Sequence, residues 1–200
     1  MGPAIRITSV RAHNVLSTKS IWGRGDTSDW LSRSTVSRFH ADLHLGGGGF
    51  IVASGTHPVS GEGRRAVFCY DANGKLDRDA FVDDPLLDPL DLALHNGYVY
   101  VTSEFPFGKD DATVSLRRYD ARNGARAGTW SAENTPAFAR VRKPRGIAFA
   151  DDDTLLMCAQ NCVLAVDVTT FGAARVVAED NDLAGQSLAL GAIVTRASRL

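Results

Sequence analysis

The chain repeats itself, and a period of about 40 to 55 residues restricts the possible folds more tightly than any composition could. "DLHLGGGGFIVASG" begins at Asp42, "DLALHNGYVYVTSE" at Asp91, "GIAFADDDTLLMCAQ" at Gly146 and "SLAL" at Ser187, so the starts fall 49, 55 and 41 residues apart. Each of the first three continues to a second landmark, an apolar residue followed by Asp and a turn: "CYDANGK" at Asp71, "RYDARNGAR" at Asp120 and "AVDVTTFGAAR" at Asp167. One more short strand follows each turn. Every unit therefore holds four short strands, a to d, joined by Gly and Asn turns of the kind that close tight hairpins.

Four antiparallel strands per unit describe a propeller blade. The expected fold is all-β, a partial β-propeller of about three four-stranded antiparallel blades plus part of a fourth. Residues 1–37 form an N-terminal segment that supplies a strand to a neighbouring blade. Blades then span 38–87, 88–143 and 144–184, and 185–200 begin an incomplete one. Asp71, Asp120 and Asp167 are expected to hold their turns by accepting backbone N–H bonds two residues on. The glycines after them, Gly74, Gly124 and Gly172, provide positive φ.

Composition sets the remaining bounds. With 22 basic and 23 acidic residues the net charge is −1, which draws the chain to neither nucleic acid nor an anionic membrane. The "RVRKPR" loop at 140–145 is locally basic, but it lacks the interleaved aromatics of a nucleic-acid surface. The first twenty residues contain no apolar leader, which predicts a cytoplasmic chain, or a secreted one if the N-terminus is truncated. Cys158 and Cys162 have three residues between them and no second ligand pair downstream, so they are expected to be structural and not a zinc site.

The stretch "PLDLALHNGYVYVTS…LRRYDARNGARAGTW…KPRGIAFADDDTLLMCA…VLAVD" resembles the NHL and TolB-like repeats of six-bladed propellers over about residues 40 to 190. The third unit departs from that pattern, having neither the aromatic nor the Gly expected at its second strand. The resemblance implies a choice between a binding module and a metal-dependent hydrolase of the gluconolactonase kind. Three units and part of a fourth do not close a ring, which implies a truncated propeller or a homodimer of half-rings.

Ligands of propellers gather where the b-to-c and d-to-a loops meet. In the first two units the b-to-c loop is longer than in the third, and long loops in a compact scaffold often carry function. A protein or small-molecule ligand is expected on that face. Candidate binding residues are Glu62 and Arg64 in the first long loop, Glu104, Asp110 and Asp111 in the second, and Arg145 and Gln160 in the third unit. Under the hydrolase alternative, Glu104 and Asn161 would hold a divalent cation, Ca or Mg, and His57 would act as base. Asp42 and Asp91 open the innermost strands and are expected either to line the channel or to pair with Arg across blades.

Overall fold

The computed structural model describes residues 6–11, 15–20, 39–44, 50–55, 65–71, 73, 75–144 and 146–179. It is all-β. A hairpin of β1 (Arg6–Arg11) and β2 (Val15–Ser20) precedes three four-stranded antiparallel sheets. The first sheet holds β3 (Phe39–His44), β4 (Phe50–Ser54), β5 (Ala66–Tyr70) and β6 (Leu76–Val82). In the second are β7 (Pro89–His95), β8 (Tyr98–Phe105), β9 (Thr113–Asp120) and β10 (Arg126–Ser131). The third has β11 (Ile147–Phe149), β12 (Thr154–Cys158), β13 (Cys162–Asp167) and β14 (Ala174–Glu179). Each sheet is a meander whose strands neighbour one another in chain order, and the first strands lie together, β3 beside β7 and β7 beside β11. This is a partial propeller of three blades. Residues 185–200 lie outside the described residues; β1 pairs with β2 and lies beside β3 of the first blade.

Strand alternation builds the cores between blades, because successive side chains point to opposite faces. On β8, Val99 and Val101 face blade 1 and pack with Ile51, Val67, Phe81 and Leu92. Tyr100, between them, faces blade 3 and joins Leu116, Trp130, Leu155, Met157 and Leu164. The same alternation divides the two arginines of β9. Arg117 turns toward blade 1, where Nη1 lies 2.6 Å from Asp84 Oδ2. Arg118 turns toward blade 3, where it donates to the Val168 carbonyl at 3.1 Å and lies over the rings of Tyr98 and Phe171. Two consecutive arginines thus bind blade 2 to both neighbours.

The turns behave as their chemistry requires. Asn96 and Gly97 join β7 to β8 with φ of 48° and 77°, the paired positive values of a two-residue hairpin. Asp71, Asp120 and Asp167 accept the N–H of Asn73, Arg122 and Thr169, each at 2.8 Å. Gly124 and Gly172 have φ of 73° and 90°, and Gly74 lies outside the described residues. The third unit, which lacks a hairpin glycine, closes its a-to-b turn with Asp151, whose Oδ1 accepts from the N–H groups of Asp153 and Thr154 at 3.0 and 2.7 Å.

Candidate functional site at the loop end of the blades

The b-to-c and d-to-a connections come out at one end of the sheets, and the polar residues of the interior collect there. The described buried polar and charged residues are Ser54, Asp88, Thr102, Ser103, Glu104, Ser115, Arg117, Ser131 and Thr135. All but Arg117, which sits past the middle of β9, lie on the halves of their strands nearest these loops, or in the loops. Ser103, Ser115 and Ser131 form a row across blade 2, since Ser103 pairs with Ser115 and Ser115 with Ser131. Burying hydroxyl and carboxylate groups is costly unless each is hydrogen-bonded, so their concentration at one end calls for specific partners.

Some of those partners are visible. Ser103 Oγ accepts the Asp88 N–H at 2.9 Å, and the Arg117 Nε donates to Ser115 Oγ at 3.1 Å. Asp84, in the loop leaving blade 1, accepts the Tyr119 hydroxyl at 3.0 Å on the oxygen that faces Arg117, and the Leu86 N–H at 3.1 Å on the other. Burial pushes the Asp84 carboxyl up, but Arg117, the Leu86 N–H and the Tyr119 hydroxyl outweigh it and hold the group below the usual carboxylate range. The Tyr119 hydroxyl is pushed well above its ordinary value, first by burial and then by the Asp84 charge.

Glu104 occupies the end of β8, as its place in the sequence predicts, but inside the fold: it is 4% exposed, and its N–H points to the Asp88 carbonyl at 3.4 Å. Asp88 itself is 1% exposed. Asp110 and Asp111 are exposed on the following turn. Gln160 and Asn161 form the short turn between β12 and β13. There the Asn161 amide is committed to the neighbouring d-to-a loop, accepting the Arg142 N–H at 3.2 Å and donating to the Arg140 carbonyl at 2.9 Å. The Gln160 N–H donates to the Arg142 carbonyl at 2.9 Å. His57, Glu62, Arg64 and Arg145 lie outside the described residues. Asp91 does join blades, through a backbone donor: its Oδ2 accepts the Ile147 N–H of β11 at 2.9 Å.

The described donors do not compose the oxygen cage that a resident divalent cation requires. Among the described residues no three His, Cys, Asp or Glu side chains converge, and the Asn161 amide is occupied by its own loop. Cys158 and Cys162 fail as a pair for a geometric reason. Cys158 stands opposite Val163, one residue out of step with Cys162, so the two thiols point to opposite faces of the sheet. Both are buried, and burial pushes both thiols up.

Sequence reasoning missed Asp84, Asp88, Arg117 and Arg118. The signal for the arginines was present in "SLRRYD": a pair of adjacent cations in a buried strand must face two different neighbours. No protein-family model matches the chain, and no curated protein matches it.

Proposed function

We propose that the chain is a non-catalytic propeller module, similar to NHL and TolB-like propellers, that binds a protein or small-molecule ligand on the face built by its b-to-c and d-to-a loops. The observation that carries this reading is the one-sided placement of buried polar groups, Asp88 and Glu104 above all, at that end of blade 2. A recognition surface needs polar groups fixed by a rigid support, and Asp88 before β7 and Glu104 on β8 are held in that way. Amide spectra of the labelled chain, recorded against a set of small-molecule fragments, are expected to shift at 83–88, 104–114, 132–144 and 159–161. Shifts confined to the opposite, hairpin end would refute the reading.

A metal-dependent hydrolase is the second reading, and the buried carboxylates favour it to the extent that they resemble two cation ligands. Hydrolysis of gluconolactone with added calcium, compared between the wild-type chain and Glu104→Gln, separates the two. Equal background rates support the module, and turnover lost in the variant supports the enzyme. Completion of the ring by a second copy belongs to the first reading and is checked by light scattering, where a mass near twice 21.4 kDa is expected and a discrete monomer refutes it. No helix among the described residues is long and apolar enough to cross a membrane.

A further inference from the structure

The d-to-a loop between blades 2 and 3 has a construction that turn chemistry alone does not require. A 3-10 helix, Pro136–Arg140, buries Phe138, and the chain then runs Val141, Arg142, Lys143 and Pro144. Val141 and Pro144 are buried while Arg142 and Lys143 are exposed, so two cations stand out between two apolar anchors. The segment is clamped from the side by blade 3. The Arg142 N–H and the Arg140 carbonyl bond to the Asn161 amide, and the Arg142 carbonyl accepts the Gln160 N–H. Arg140 is held separately, with Nη2 2.7 Å from both carboxylate oxygens of Glu179. Lys143 has φ of 46°, a conformation that is unfavourable for a non-glycine residue and persists only where the surroundings impose it.

The bonds to Asn161 and Gln160 thus fix the loop backbone, and the Arg140 side chain is held by Glu179, while none of these bonds involves the side chains of the two outward cations. Neither Arg142 nor Lys143 has a side-chain partner among the described residues, in contrast to Arg140, Arg117, Arg118 and Arg122, each of which is paired or bonded. We infer that Arg142 and Lys143 form a pre-organised cationic turn that receives an acidic segment of a protein partner. This rests on the binding-face reading above and names the chemistry of the partner. A protein is indicated over a small anion because the two side chains protrude and line neither of the described grooves, of 640 and 420 Å³, which sit elsewhere on the blades. It is indicated over nucleic acid because the exposed positions around the turn, Ala139, Arg140, Arg142 and Lys143, include no aromatic to stack on a base. Fixing the backbone in advance lowers the ordering cost when the partner docks.

The test uses the full chain and a fluorescein-labelled oligoglutamate peptide, with oligolysine and labelled oligothymidylate as comparison probes. Oligoglutamate is expected to bind with an affinity that falls as salt rises, and the double variant R142A/K143A to weaken it about five- to tenfold. Asn161→Ala removes the clamp without removing charge, and is expected to weaken binding about two- to threefold, an effect that a simple surface charge would not show. Thermal melts of the double variant matching wild type confirm that folding is unaltered. Equal affinity in wild type and R142A/K143A would overturn the inference, as would tighter binding of oligothymidylate than of oligoglutamate. Peptide-induced shifts confined to 104–114, with the double variant silent, would overturn it while leaving the binding face intact.

Discussion

Replacing Asp84 with Asn tests whether the ion pair between blades 1 and 2 supports the loop end. The substitution keeps the size of the side chain but only one of the two acceptor oxygens that receive the Tyr119 hydroxyl and the Leu86 N–H, and it leaves the Arg117 guanidinium without its counter-charge. Both side chains are only 8% exposed, so the cation cannot recover its hydration by a small movement. Removing one member of a buried pair typically costs about 3–5 kcal/mol. Because Ser115 Oγ still accepts from Arg117, we place the loss at the low end, about 3 kcal/mol, or about 6–12 °C of melting temperature for a chain of this size. Arg126, 3.7 Å from the same carboxylate and 60% exposed, offsets little of it. The sign of the pH dependence follows from the depressed carboxyl. Its stabilisation is fully present above the unfolded-state pKa of about 3.9 and is lost as pH falls through the lower folded-state value. Wild type and variant should therefore differ most near neutrality and converge in acid. Urea melts at neutral pH and in acid measure this directly. A difference below about 0.5 kcal/mol at neutral pH, or one that widens on acidification, would refute the reasoning, whereas Asp84→Leu combined with Arg117→Met should recover much of the loss.

Gly124→Ala should destabilise the chain by more than about 2 kcal/mol, because φ is positive and the new Cβ would come 1.9 Å from the Phe81 carbonyl oxygen. Gly97→Asn, where a Cβ meets nothing within 4 Å but φ is also positive, should cost less, about 1 kcal/mol, in the same urea titration. A carbon-detected titration should place the Asp120 carboxyl at about 2, chiefly because Arg122 bonds to it, and Arg122→Ala should return it toward the ordinary carboxylate value. Iodoacetamide should label Cys69, Cys158 and Cys162 slowly in the folded chain and rapidly in urea, and mild oxidation should form no Cys158–Cys162 bridge. Rapid native labelling of Cys158 or Cys162 would show that the third blade is not packed as described.

The blades were legible because their signals are local. Strand alternation, Asn-Gly hairpins and Asp-capped turns act within two to four residues, and all twelve blade strands fall where those signals put them. The site was less legible because its determinants are not local. Asp84 and Arg117 are 33 residues apart, and Arg118 reaches a carbonyl 50 residues on. Glu104 follows a strand in the sequence, which suggests a rim position, but Asp88 of the preceding loop lies against it and Glu104 is buried. Asn161 looks like a cation ligand by its place at the end of a blade, yet so short a turn between β12 and β13 leaves its amide beside the Arg140–Arg142 backbone, which claims both of its polar atoms.

That difference in range also separates the Asp and Asn residues at the two ends, while Arg78, His95 and Arg118 bond across blades at the hairpin end. At the hairpin end, Asp71, Asp120, Asp151 and Asp167 accept N–H groups from their own turns, so each blade closes with residues it carries itself. At the loop end, Asp84, Asp91 and Asn161 bond to a neighbouring blade or to the loop that enters from it. A connection at the loop end can therefore change length without disturbing strand register, because register is set from the other end. The chain shows this: β8 pairs with β9 and β12 with β13 in unbroken antiparallel register, although the first pair is joined through residues 106–112 and the second through 159–161 alone. Loops free to vary on a register fixed elsewhere are what the proposed binding face would require, and Arg142 and Lys143 lie on one of those loops.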